Sequence, residues 1–155
     1  MLPPPTARLR FREMTEADLP DIATLDISSS RTAEGWVAWN RDNYLEHGFG
    51  LWVVETHEGG FVGDCGLTMQ EVEGEWLVEA GWHVRAPLRR QGYAAEAAAA
   101  VRETARVMGV EHLIAIIRPD NLASQGVARR IGMVLEREVH KNGGPALVFA
   151  VDLER

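Results

Sequence analysis

Residues Leu113–Ile117 read Leu-Ile-Ala-Ile-Ile, an apolar run without one polar position. A strand of that kind needs cover on both faces of its sheet. Directly before it lies an alanine-rich stretch, Tyr93 to Met108, with Ala97, Val101, Ala105 and Met108 on one helical face and Gly109 placed to end the helix. Small residues on that face let the helix lie close to a sheet. A further strand, Trp76–Val84, precedes the helix, so strand, helix and buried strand form a βαβ crossover, expected to be right-handed, with a parallel pair at its centre.

The flanking segments extend this core. Residues 7–12 alternate apolar and basic side chains, the period of a half-buried strand, and helix-start residues follow. Asp18 suits the N-cap with Asp21 three positions on, which puts Pro20 in the first turn; a start at Thr15 would push Pro20 deeper. A second helix is expected over Thr32–Glu46, stopped by Gly48. Its Trp36, Trp39 and Tyr44 lie close to one face, which suits either the wall of a substrate pocket or an aromatic layer packed on a sheet. Leu51–Thr56, Phe61–Gln70 and Trp76–Val84, joined through Glu58-Gly59-Gly60 and Glu73-Gly74-Glu75, read as an antiparallel meander. After the buried strand, Asn121 caps a helix running to Ile131 and ended by Gly132, and Met133–Val139 and Ala146–Leu153 flank an Asn-Gly-Gly turn.

The fold class is α+β (α/β): one mixed sheet of about seven strands with about four helices. At 155 residues and 46% hydrophobic, the chain has the size and apolar content of a single domain over residues 1–155. The lone Cys65 excludes an internal disulfide, and no Cys/His cluster has the spacing of a zinc site, so no metal is expected. The N-terminus lacks the pattern of a signal peptide and no apolar run approaches the roughly 20 residues that span a bilayer. A cytoplasmic protein without a membrane partner is the expectation. The formal charge of −7 argues against nucleic acid as a partner and suits an amine-bearing acceptor, although solubility alone also accounts for it.

The stretch Arg89-Arg90-Gln91-Gly92-Tyr93-Ala94 carries the chemistry. A glycine-containing loop opens a helix whose first amides lack intrahelical partners, which makes an anion site. Gly92 turns the chain and admits a ligand close to the backbone, Ala94 leaves the first turn unobstructed, and Arg89 and Arg90 add charged donors. A pyrophosphate fits. Neither a P-loop nor a Rossmann glycine pattern is present, which disfavours a nucleotide triphosphate.

Arg89, Gly92 and Ala94 supply the fixed positions of a motif similar to the coenzyme A signature of the GNAT acetyltransferases, Arg/Gln-x-x-Gly-x-Gly/Ala. A second family element resembles Asn121-Leu122-Ala123-Ser124-Gln125-Gly126-Val127 followed by Gly132-Met133, with Met133 in place of the usual Phe. The order of elements looks like that family over nearly the whole chain. Within it, Glu79–Val84 and Gly92–Ala97 resemble the branch that contains the N-terminal acetyltransferases of ribosomal proteins, a branch with many other acceptors as well.

The resemblance implies a GNAT fold in which the parallel strands splay and acetyl-CoA (coenzyme A) enters between them as co-substrate. Trp82, His83 and Val84 would offer main-chain groups to the pantetheine. The backbone of Arg90, Gln91, Gly92, Tyr93 and Ala94, beside Arg89, would hold the pyrophosphate. Asn121 and Ser124 would contact the pantetheine region. Glu79 is the implied general base toward a primary amine, a protein N-terminus or a small molecule. His83 shares its face and is the competing base, since an imidazole titrates nearer neutrality. Many relatives place a Tyr seven residues after the motif Asn to protonate the leaving thiolate, but Ala128 stands there. Ser124 can take that role, or can simply cap or pack its helix. An N–H of Trp82–Val84 would stabilise the oxyanion.

Trp36 and Trp39 are the candidate substrate-binding residues. Cys65 reads as a buried strand residue rather than a nucleophile, and His47, His57, His112 and His140 lack metal-ligand spacing. Two other functions compete with acetyl transfer: a non-catalytic acyl-CoA-binding module, and an interaction protein using the Trp36/Trp39 face. An exposed sheet edge near the last strands makes a homodimer plausible.

Overall fold

The computed structural model describes residues 1–154. The strands are β1 (Leu9–Arg12), β2 (Leu51–Thr56), β3 (Phe61–Val72), β4 (Glu75–Val84), β5 (His112–Ile117), β6 (Val134–Lys141) and β7 (Gly144–Asp152). The α-helices are α1 (Leu19–Ile22), α2 (Ala33–His47), α3 (Tyr93–Val107) and α4 (Leu122–Arg130). The seven strands form one sheet in the order β1-β2-β3-β4-β5-β7-β6, and β4–β5 is its parallel pair. This is the GNAT α/β arrangement expected from the sequence. Among the described residues, no helix is long and apolar enough to cross a membrane.

Two hairpins run longer than their sequence suggests, for one reason. Glu73-Gly74 and Asn142-Gly143 have φ of 51°, 83° and 56°, 81°. Positive φ at both central residues is the two-residue turn whose twist matches the strands, so pairing continues to the turn itself. Val72 therefore pairs with Glu75, and Lys141 with Gly144.

The first helical segment differs from the expected start. A 3-10 turn, Glu16–Asp18, begins after Thr15, and α1 follows at Leu19 with Pro20 in its first turn, where a missing N–H is harmless. Asp18 stands at the N-cap position of α1 but does not cap it. Its carboxylate turns back to accept from the Thr15 amide at 2.8 Å and to form two charged hydrogen bonds with Arg12, at 2.8 and 2.6 Å. The bidentate pair outweighs a cap bond that water can replace.

Helices cover the sheet on both faces. Trp52, Val54, Cys65, Leu67, Ala80, Leu113, Ala115 and Phe149 pack with Ala97, Ala98, Val101 and Ala105 of α3, which lies against β3 and β4. On the other face, Leu51, Val53 and Phe61 meet Ile22, Trp36 and Val37. Burial on both sides explains why Leu51-Trp52-Val53-Val54 shows no polar alternation.

The central feature is how briefly β4 and β5 pair. Their register holds only Val78↔Leu113 and Glu79↔Ile114. Past that point β4 stays on β3 as far as Val84, while β5 stays on β7 from His112 to Ile117. Each strand is held by its outer neighbour, and a gap opens between them.

Candidate active site

The gap leads into a cleft of about 760 Å³ bounded by β4, β5, α2, the start of α4, the 26–31 loop and the β6–β7 turn. Glu79, Trp82 and His83 line it from β4, Asn121 and Ser124 from α4, and Trp36 and Trp39 from α2.

Glu79, Gly81 and His83 alternate onto the face of β4 that carries α2. The Glu79 carboxylate accepts a hydrogen bond from the Ile116 amide at 2.7 Å. Ile116 lies on β5 beyond the last β4–β5 register pair, so the side chain spans the gap where the backbone ladder has ended. Burial pushes the Glu79 carboxyl up to about 7, against the lowering effects of the Ile116 amide, His83 and Lys141. A carboxylic acid half-ionised at neutral pH is suited to moving a proton there.

His83 has a partner that the sequence reading missed. Asp64 lies directly opposite on β3, and its Oδ1 is 2.7 Å from His83 Nδ1. The other oxygen, Oδ2, accepts from Trp36 Nε1 at 2.9 Å. Trp36 also sets its ring edge-on to the imidazole, with centroids 5.7 Å apart. Burial by itself would lower the His83 pKa, but the Asp64 and Glu79 carboxylates raise it overall. The one signal in the sequence was an acidic residue within an otherwise apolar and glycine strand, Phe61-Val62-Gly63-Asp64-Cys65-Gly66-Leu67.

The two tryptophans have different surroundings. Trp36 is 7% exposed and belongs to the core under α2, so it both packs and lines the cleft. Trp39 lies beside it, ring centroids 5.3 Å apart, and carries the Arg31 guanidinium 4.0 Å above its ring centre. Asn40 fastens the same helix to the sheet by accepting from the Leu51 amide at 2.8 Å.

Asn121 Oδ1 accepts from the Ser124 amide at 3.0 Å, an N-cap bond that uses the oxygen and leaves the amide nitrogen for another partner. Ser124 is half-buried at the cleft wall in the first turn of α4.

The segment 89–94 leaves the far end of β4 and runs outside the cleft proper. Arg90 has φ 65° and Gly92 φ 83°, so the turn enters the left-handed region twice within three residues. Gly92 is the N-cap of α3 and supplies no capping side chain, so the amides of residues 93–95 have no partner among the described residues. Arg89 is engaged with the protein: its guanidinium donates to the Val84 carbonyl at 3.0 Å and to Asp26 at 3.2 Å.

Arg8, another residue the sequence reading passed over, braces this turn. It donates to the Gln91 carbonyl at 2.8 Å and to Glu96 at 2.7 Å, and covers the Tyr93 ring at 4.3 Å. Thr6 and the Arg8 amide also donate to Glu96. Burial opposes ionisation of Glu96, but these bonds hold its carboxyl below the usual range. The loop is thus shaped before any ligand arrives. Its unpartnered amides and the free β4 edge past Glu79 fit a ligand with a diphosphate and an extended, peptide-like arm.

Fold and cleft together define an acyltransferase. Residues 8–134 match the acetyltransferase (GNAT) domain, and the chain belongs to that family. It is 32% identical over 160 residues to the uncharacterized protein YkkB of Bacillus subtilis (strain 168), covering 93% of this chain and 92% of the relative. Among solved structures, it resembles the acetyltransferase from Agrobacterium tumefaciens str. C58 with 26% identity and a TM-score of 0.81, over 94% of this chain and 91% of the other. It also shares the fold of RimL, the ribosomal L7/L12 alpha-N-protein acetyltransferase in complex with coenzyme A. That likeness has 18% identity and a TM-score of 0.75, over 99% and 98% of the two chains.

Proposed function

We propose that this acetyltransferase moves the acetyl group from acetyl-CoA to a primary amine, a protein N-terminus or a small molecule, by direct attack in a ternary complex. The observation that carries the reading is Glu79: a carboxyl raised to about 7 on the cleft wall, held across the strand gap by the Ile116 amide. The coenzyme A bound to RimL supports the choice of donor.

The acceptor arrives as an ammonium and must lose a proton before its lone pair can attack the thioester carbon. Glu79 takes that proton, directly or through one water. The C–N bond forms, main-chain N–H groups of Trp82–Val84 stabilise the oxyanion, and the C–S bond then breaks. Ser124 gives its hydroxyl proton to the departing thiolate and recovers one from the new amide nitrogen. The turn at Arg89, Arg90, Gln91, Gly92, Tyr93 and Ala94 binds the diphosphate, and Asn121 turns its amide N–H toward the pantetheine. Trp36 and Trp39 wall the acceptor side.

The test is amine-dependent thiol release from acetyl-CoA, measured against simple primary amines and against peptides beginning with Ser or Ala. Release with at least one class of acceptor, blocked by N-terminal or amine methylation, is the expected result. Binding of acetyl-CoA without release for any acceptor would overturn it and leave a non-catalytic acyl-CoA-binding module.

A further inference from the structure

The cleft face of β3 and β4 carries two opposed side-chain pairs, Thr68↔Glu79 and Asp64↔His83, separated by the glycine pair Gly66↔Gly81. Gly81 faces the cleft beside Leu51, and a Cβ there would meet the Leu51 side chain at 3.4 Å. No side chain of β4 therefore stands between Glu79 and the imidazole on that wall.

Asp64 is only 1% exposed. A buried carboxylate costs several kcal/mol unless it is paired and hydrogen-bonded, and here both oxygens are committed. Trp36 Nε1 can only donate, so it satisfies Oδ2 without accepting anything in return. An ionised carboxylate only accepts, so Nδ1 of His83 carries the proton in the bond to Oδ1. Nε2 has no partner among the described residues, and the side chain is 28% exposed where it lines the cleft.

We propose that Asp64 is a positioning residue that fixes His83 with Nδ1 protonated and Nε2 open to the cleft, and that His83 carries away the proton the reaction releases. The inference rests on the amine-acetylation reading. An ammonium and a thioester become an amide, a free thiol and one net proton, and Glu79 must lose the proton it has taken before the next turnover. His83 receives it at Nε2, through water in the cleft that both side chains line, and passes it to solvent, while the Nδ1–H bond to Asp64 stays intact and stabilises the imidazolium. The charged groups facing the ring are Asp64 from β3, Glu79 from its own strand and Arg89 from the following loop, and Asp26 and Arg31 line the same cleft.

The experiment compares wild type, Asp64→Asn and His83→Gln by nitrogen NMR of the histidines, with His83 assigned by its loss in His83→Gln, and by pH profiles of kcat/KM for thiol release. Asparagine still accepts from Trp36 but offers an N–H to Nδ1, which drives the ring to the Nε2–H tautomer. Expected in Asp64→Asn are a reversed tautomer, a lower imidazole pKa and a loss in kcat/KM of about 100-fold, with acetyl-CoA affinity unchanged. The pH profile should also change, because the imidazole loses the carboxylate that raises its hold on a proton. An unchanged tautomer, or an unchanged profile with only a lower Tm, reduces Asp64 to a structural residue and overturns the proposal. If wild type binds acetyl-CoA but releases no thiol with any amine, the function proposed above fails and the proton-carrying role falls with it; the NMR measurement decides the hold of Asp64 on His83 separately.

Discussion

The Glu79 carboxylate accepts a hydrogen bond from the Ile116 amide at 2.7 Å, on the strand that β4 has just ceased to pair with. A side chain thereby takes over one of the amides that the splayed backbone leaves without a ladder partner. The same bond fixes the carboxylate beside the place where an extended ligand would enter the gap. Its consequences can be measured.

Glu79→Gln keeps an oxygen to accept from Ile116 but can no longer take a proton. Turnover should fall about 100-fold or more while acetyl-CoA binding is kept, as read by thiol release and thermal shift. In wild type the rate should rise with pH through about 7, because the base works only when ionised. Unchanged turnover in the variant would remove Glu79 from the mechanism.

The same substitution should stabilise the fold at alkaline pH. The Glu79 pKa is about 7 in the folded chain against an ordinary 4.5. The folded state therefore binds this proton more tightly than the unfolded state. The stabilisation is fully present below the unfolded value and is lost as pH rises through the folded one. Denaturant melts at pH 5 and pH 8.5 should show Glu79→Gln close to wild type at the first and more stable by on the order of 2 kcal/mol at the second.

Gly92→Val places a β-branched residue at φ 83° with its Cβ in tight contact with Arg8 Nη2, 3.3 Å away. Strain of about 1–3 kcal/mol and a displaced turn should follow. The acetyl-CoA thermal shift should disappear while the far-UV circular dichroism of the protein is retained.

Arg8→Ala removes the donor to Gln91 and the partner of Glu96 without touching the 89–94 turn itself. Acetyl-CoA affinity should weaken about tenfold, the equivalent of roughly 1.4 kcal/mol, with little change in kcat. Calorimetric titration checks the first and saturating thiol release the second.

Much of this molecule was legible in the chain because the signals are local. The apolar period of Leu113–Ile117, the alanine-rich helix ended at Gly109 and the Asn121 cap each act within one turn or strand, and the structure has them within a residue or two of their expected ends. The start of α3 after Gly92 was equally plain, since a glycine directly before a helix is a local signal.

Tertiary structure alone decided which of these residues meet. Asp64 and His83 are 19 positions apart and become a pair only through the β3–β4 register. Arg8 reaches Gln91 across 83 positions. Glu79 finds Ile116 only because β4 and β5 are drawn apart by their outer neighbours. Backbone preference is set by a few neighbouring side chains and can be read along the chain; strand register, and the charges it brings together, depends on every strand in the sheet at once.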